Sequence, residues 1–261
     1  MYSNEHIKYL RKIKRNKFII KLIQFCIVLF ILFFWQFCAD NNLINTFISS
    51  SPYKIIQTLV KLYKDGSLFH HIWITFYEVI ISFILSILLG FIISTIMWRY
   101  KILFKIFDPY LTVLNSLPKV SLGPIIIIIA GAGINSIILM ALFISLIITI
   151  IDMYGSFVST DENKIKFLKS LNASKRQIFF KLILPSNYNS LINIFKINVG
   201  LVFIGVIMGE FLVSKSGVGY LIMYGSQVFN LNLVMTGIII LAVMASLLYY
   251  IIIIIEKRLK K

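Results

Sequence analysis

Runs of about twenty apolar residues, the length an α-helix needs to cross roughly 30 Å of hydrocarbon, divide this chain into spans separated by short polar and basic stretches. The first predicted span runs from Phe18 to Cys38, interrupted by Lys21, Gln24 and Gln36. The stem of Lys21 is long enough to carry its ammonium to the interface. A polar stretch through Asp40, Lys54, Lys64 and Asp65 to His70 and His71 follows, broken at Ser50-Ser51-Pro52, and reads as an external loop or short amphipathic helix. The second span, Ile72 to Trp98, holds one acid, Glu78, and leads into a basic turn at Arg99, Lys101 and Lys105. A third, Asp108 to Ala130, contains Pro109, Pro118, Lys119 and Pro124 and is expected to be a broken helix. After Gly131-Ala132-Gly133 come a fourth span, Ile134 to Met153, ended by Gly155, and a polar, basic segment, 156–190. The fifth span is Asn193 to Val213, a Gly-rich loop covers Ser214 to Gly225, and the sixth span is Leu233 to Ile255. The expected architecture is an all-α integral membrane protein with six transmembrane helices.

Within these spans the small and polar residues are not scattered. Glu78, Ser82, Ser86, Gly90 and Ser94 recur every fourth position, which places them on one face of the second helix. Small residues at that spacing let backbones approach closely in lipid, so this face is expected to pack on protein. Gly205 and Gly209 repeat the device in the fifth span, with Asn198 on the same side. An acid inside a span is costly and marks a pathway or a pairing. Glu78 and Glu210 are therefore candidate pathway residues, and Glu210 either faces a water-filled route or anchors the loop after it. Lys196, near the inner end of its span, reads as an interfacial lysine.

Composition agrees with the spans. Hydrophobic residues make up 59% and charged residues 14%, too little polar surface to cover a soluble globule of 261 residues. The net charge of +16 would suggest a nucleic-acid binder in a soluble chain; here it records topology, because Lys and Arg are retained on the cytoplasmic side. Most of the 26 basic residues fall in the N-terminal tail, between the second and third spans, in 156–190, and in Lys257, Arg258, Lys260 and Lys261. Both termini and the 156–190 segment are thus expected inside, and the first span is expected to be retained rather than cleaved as a signal peptide. Cys26 and Cys38 read as small hydrophobes, not as a disulfide framework.

Catalytic patterns are missing. There is no phosphate-cradling G-x-x-x-x-G-K-S/T and no H-E-x-x-H, and His6, His70 and His71 are expected outside the spans. Gly217-Val218-Gly219 lacks the third glycine and the preceding strand of a dinucleotide fingerprint. Asn172-Ala173-Ser174 matches a glycosylation sequon but is expected on the inner side. The chain reads as neither enzyme nor metalloprotein.

The 156–190 segment is more than a solvated basic loop, since Phe167, Leu168, Leu171, Ile178, Phe179 and Phe180 punctuate it. Its flanks predict two short helices, Lys164 to Leu171 and Ser174 to Leu184. Asn172 lies at the break because it tolerates the left-handed conformation, and Ser174 caps the second helix. The result is a protruding knob suited to docking a partner. The run Lys166 to Pro185 resembles the inner-loop signature of bacterial ABC importer permeases, E-A-A-x3-G-x9-I-x-L-P. Asn172 stands at the Gly position, Lys166-Phe167-Leu168 for E-A-A, and Leu182-Ile183-Leu184-Pro185 at the end. Gly209-Glu210, Ser216-Gly217-Val218-Gly219-Tyr220-Leu221-Ile222, Leu117-Pro118 and Leu122-Gly123-Pro124 resemble the branch that imports nitrate, sulfonates and taurine.

That resemblance implies a type I importer bundle divided into a basic cytoplasmic tail (1–17), a first transmembrane helix with its external loop (18–71), and a core (72–261) carrying the coupling loop 156–190. It implies a homodimer forming one pathway in the cell membrane and an extracytoplasmic binding protein delivering a small solute. It implies two ATPase subunits that hydrolyse the ATP, with no cofactor bound by this chain and no nucleic acid. Leu171, Asn172, Ala173 and Ser174 would form the coupling element, with Leu182, Leu184 and Pro185 at its exit. Pro185 is expected to end the knob by forcing the preceding residue out of the helical region. The rival class is an ion-coupled transporter or channel, whose sign would be paired intramembrane charges or inverted repeats; neither is visible in the sequence.

Overall fold

The computed structural model describes residues 4–259; Lys260 and Lys261 of the C-terminal basic cluster, and the side chains of His6, Lys8, Arg11, Lys14 and Lys17 in the N-terminal one, lie outside the described residues. Within that range the chain is all-α. The order is α1 (Asn4–Asp40), α2 (Thr46–Ser49), α3 (Pro52–Lys64), α4 (Ser67–Arg99), α5 (Lys101–Ser116), α6 (Gly123–Ala130), α7 (Ile134–Val158), α8 (Glu162–Ser170), α9 (Lys175–Ile178), α10 (Leu184–Ser186), α11 (Tyr188–Val213), α12 (Val218–Gln227) and α13 (Leu231–Leu259). Among the described residues five segments are long and apolar enough to cross a membrane: Phe18–Asp40 of α1, α4, α7, α11 and Leu231–Arg258 of α13.

The third expected span is not a straight helix. The basic turn at Lys101 and Lys105 is the first part of α5, and the break comes at Leu117, whose φ of −65° and ψ of 143° are extended. Pro118 imposes that conformation on its predecessor and has no N–H to continue the ladder. The chain leaves through a 3₁₀ turn, Lys119–Leu122, and α6 sets off at 92° to α5. Six spans are reached only by counting this bent pair as one. Other boundaries also moved. α4 begins at Ser67, so His70 and His71 lie inside a helix instead of outside the spans, and α7 runs through Gly155 to Val158. The stretch between the first two spans contains α3, which starts with Pro52 in its first turn and is capped by Ser51, whose side chain accepts from the Lys54 N–H.

α7 is the centre of the bundle and packs most heavily against α11 and α4. Its contact with α11 is closest at Gly205, where an added Cβ would strike the Ala141 backbone, and at Gly209, where it would meet Ile137. The polar stripe of α4 is inside: Glu78, Ser82, Ser86, Gly90 and Ser94 are all buried, and Gly90 lies against Thr149 of α7. At the middle of this three-helix contact the Asn198 Nδ2 donates to Ser86 Oγ at 2.9 Å and Thr149 Oγ1 at 2.5 Å. α1 stands apart: from Phe18 to Asp40 only Ala39, near its end, is buried, and the Tyr53 N–H donating to Gln36 ties it to α3.

Candidate coupling knob and the opposite end of the bundle

The knob is built from two helix ends meeting at one left-handed residue. Asp161 accepts from the Asn163 N–H and starts α8. At the other end the Asn172 N–H donates to Lys169 O and the Ala173 N–H to Leu168 O, the paired bonds that close a helix around an αL residue. That residue is Asn172, with φ of 58°. Ser174 then opens α9 with reciprocal bonds: its Oγ accepts from the Gln177 N–H, and its own N–H donates to Gln177 Oε1 at 2.7 Å.

After α9 the chain widens into a π turn, Phe179–Ile183, in which the Leu184 N–H reaches back to Phe179 O. The expectation for Pro185 fails at this point. Leu184 keeps helical angles, φ −62° and ψ −50°, because the wide turn opens the ladder just ahead of a residue that has no N–H to contribute. The bend falls at Asn187, whose φ is −101°. Its Nδ2 donates to Ile183 O at 2.9 Å and to Thr160 Oγ1 at 2.6 Å, fastening the exit of the knob to its entry. Neither Asn187 nor Thr160 stood out in the sequence, where each is one polar residue in a polar segment.

Apolar side chains root the knob in the bundle. Phe179 is 3% exposed, with its ring 5.0 Å from Trp98, 5.3 Å from Phe157 and 6.1 Å from Phe91, so it wedges between α4 and α7. Ile178 and Ile183 join it against Met153, Leu191 and Ile194; Leu182, Leu184, Leu168 and Ala173 pack around that cluster. Phe167 and Leu171, in contrast, are each 62% exposed at the tip. A rigid root with an apolar, uncovered tip can transmit displacement from a docked partner to α4, α7 and α11.

At the opposite end of the bundle lies a buried polar cage. α12 begins at Val218, and the first amides of a helix have no partner within it. Here four consecutive N–H groups are met by side chains from other helices. Gly217 donates to His71 Nδ1 at 3.0 Å, Val218 to Thr75 Oγ1 at 2.7 Å, and Gly219 and Tyr220 both donate to Glu210 Oε2. The Thr75 hydroxyl in turn donates to Glu210 Oε1 at 2.5 Å. Thr75, Glu78 and Glu210 are 0%, 2% and 1% exposed. Gly217 and Gly219 are what permits this, since a Cβ at either would run into the Glu210 carboxylate.

A family profile described as binding-protein-dependent transport system inner membrane component matches residues 86–261, two thirds of the chain. The chain belongs to this family. It is a permease subunit of an ABC importer, a multi-pass membrane protein and not itself an enzyme. Along 227 residues it is 27% identical to a protein of Bacillus subtilis (strain 168) assigned to aliphatic sulfonates transport as a permease, covering 87% of this chain and 82% of that one. It is 26% identical over 192 residues to the formylaminopyrimidine transport permease protein of Halalkalibacterium halodurans, covering 74% and 76%. With the taurine transport system permease protein of Escherichia coli (strain K12) it shares 20% over 219 residues, 82% of this chain and 80% of that one. The fold matches a chain of the inward-facing MetNI methionine ABC transporter with a TM-score of 0.67 at 15% identity, over 75% of this chain and 97% of that one.

In this permease the candidate residues fall into three places. Leu171, Asn172, Ala173 and Ser174 sit together at the knob tip, with Leu182, Leu184 and Pro185 on its return. Ser82, Ser86, Gly90, Gly205 and Gly209 line the α4–α7–α11 contact. Glu78 and Glu210 share the cage, which is the close approach of two intramembrane acids that the sequence did not reveal, because 132 positions separate them. Family membership, not this pair, decides between the ATP-driven importer and the ion-coupled rival. The Glu210 carboxylate is occupied by α12, whereas Glu78 Oε2 has no hydrogen-bond partner among the described residues. Lys196 is paired, its Nζ 2.7 Å from Glu256 Oε2, and joins the first part of α11 to the last turns of α13.

Proposed function

We propose that two copies of this permease form one pathway and import a small anion of the sulfonate, taurine or nitrate kind, released to them by an extracytoplasmic binding protein. The observation that carries the substrate class is the likeness, over 87% of the chain, to the permease assigned to aliphatic sulfonates transport; the taurine relative supports it. Two ATPase subunits supply the energy and hold the ATP, and this chain binds no cofactor. They dock on the knob: Phe167 and Leu171 enter a groove on the ATPase, and the Asn172 turn sets the angle between α8 and α9. Movement passes through Phe179 and the Asn187–Thr160 tie into the bundle, a rigid lever of the kind alternating access requires. The basic excess on the knob and on both terminal segments supports cytoplasmic termini.

The test is co-expression with its ATPase and binding protein, reconstitution in vesicles, and ATP-dependent uptake of labelled taurine, an aliphatic sulfonate and nitrate. Uptake of one of these that needs the binding protein supports the reading. Uptake of an uncharged pyrimidine with none of the anions would overturn the anion class and leave the importer standing. Leu171→Asp should abolish co-purification of the ATPase; retained binding would move the docking site elsewhere.

A further inference from the structure

Where α4 ends, five cations from four different elements converge on two adjoining grooves. Arg99 closes α4, Lys101 opens α5, Lys169 lies in the last turn of α8, and Lys175 and Arg176 start α9. All five are exposed, and among the described residues none of them is in an ion pair. The one acid on either rim, Glu162, sits 4.0 Å from Lys166. The grooves measure about 620 and 500 Å³ and share Trp98, Arg99, Tyr100 and Lys175. Their floors are apolar: Phe157 and Ile178 in one, Phe179 and Phe180 in the other. Retention of positive charge explains an excess of cations on this side; it does not explain their gathering over aromatic floors.

We propose that these grooves hold an anionic phospholipid, its phosphate between Arg99 and Lys175 and the upper part of its acyl chain along Ile96 and Phe180. Three observations select a lipid. α4 is 33 residues long, about 50 Å of helix, so its last turn projects beyond a hydrocarbon core of roughly 30 Å into the headgroup layer. Ile96 and Phe180 line the second groove and are 45% and 54% exposed, and Ile96 lies one turn back from Arg99 along the apolar span of α4. A basic rim with an apolar floor on the basic side of a membrane protein is the chemistry that takes acidic headgroups. Because Lys169, Lys175 and Arg176 belong to the knob while Arg99 belongs to α4, the bound lipid bridges the knob and the bundle. The proposal is independent of the transported solute.

The full chain with Trp35→Phe and Trp73→Phe keeps Trp98 as its single indole and serves as the reporter. It is reconstituted in vesicles of phosphatidylcholine mixed with acyl-brominated phosphatidylglycerol or, in parallel, acyl-brominated phosphatidylcholine, and quenching of Trp98 gives the relative affinity of the two lipids. Phosphatidylglycerol should be preferred, and Arg99→Gln with Lys175→Gln should cut that preference by roughly 25-fold, since each cation near the surface contributes about a fivefold attraction. Arg99→Lys with Lys175→Arg should restore it, which separates lost charge from lost folding. Equal quenching by both lipids in the unmodified grooves overturns the proposal, as does a preference that survives the double Gln variant. If added inorganic phosphate removes the preference, the grooves take a soluble anion and the lipid assignment fails. If the double Gln variant loses the ATPase and keeps the lipid preference, the cations belong to the ATPase contact and the proposal is again overturned.

Discussion

Thr75→Val tests the cage at the start of α12 with a change of almost no volume. Thr75 is completely buried, and its hydroxyl does two things at once: it accepts the Val218 N–H at 2.7 Å and donates to Glu210 Oε1 at 2.5 Å. Valine fills the same space and does neither. The buried Val218 N–H is left without an acceptor, at about 1–3 kcal/mol, and Glu210 loses one donor, a bond that contributes on the order of 1 kcal/mol even when neutral. Summed, the two effects give about 2–4 kcal/mol for opening the start of α12, reduced by whatever overlap their shared atoms bring. That free energy corresponds to roughly 30- to 1000-fold faster amide exchange. Hydrogen exchange read by mass spectrometry on peptides covering 217–221 should show it, while peptides from the knob at the other end stay protected as before. Thr75→Ser keeps the hydroxyl and should stay within about threefold of wild type. If Thr75→Val leaves 217–221 as protected as wild type, the four amides are not held by these side chains and the cage is wrongly drawn.

Three further outcomes follow from the structure. Asn172→Gly should be nearly neutral, whereas Asn172→Val, forced to φ near 58°, should destabilise the knob by about 1–3 kcal/mol; co-purification of the ATPase and stimulated ATP hydrolysis would fall while membrane insertion is unchanged, and a Val variant that docks normally would refute the turn. Gly205→Val should prevent a stable bundle because its Cβ meets the Ala141 backbone, while Gly200→Ala, on the same helix with nothing within 4 Å, should match wild type or gain about 0.5–1 kcal/mol in thermal unfolding in detergent. With Cys26 and Cys38 replaced by Ser, Lys175→Cys should react only with a thiol reagent supplied from the cytoplasm and Lys215→Cys only with one supplied from outside; the reverse pattern would invert the topology.

The knob shows how far local chemistry reaches. Asn172 in the left-handed region and Ser174 as a cap follow from side-chain preferences acting over three or four residues, and both were legible in the sequence. Pro185 was misread for the same reason in reverse. The local rule pushes Leu184 out of the helix, but packing of Phe179 and Ile183 into the bundle holds the segment helical, and a π turn absorbs the conflict. Length and hydropathy fixed five of the spans to within about five residues but not the third, which is two helices at 92°, and the spacing of Ser82, Ser86 and Gly90 fixed which face of α4 is inside, because helical period and the cost of unsatisfied groups in lipid are properties of a single segment. Only the tertiary structure could decide which segments meet. His71, Thr75, Glu210 and the amides of 217–220 come from three helices, and Asn187 and Thr160 from opposite feet of the knob. Their roles are hydrogen bonds between distant positions, and a single sequence carries the donors and acceptors without the pairing; the packing of α7 between α4 and α11 supplies it.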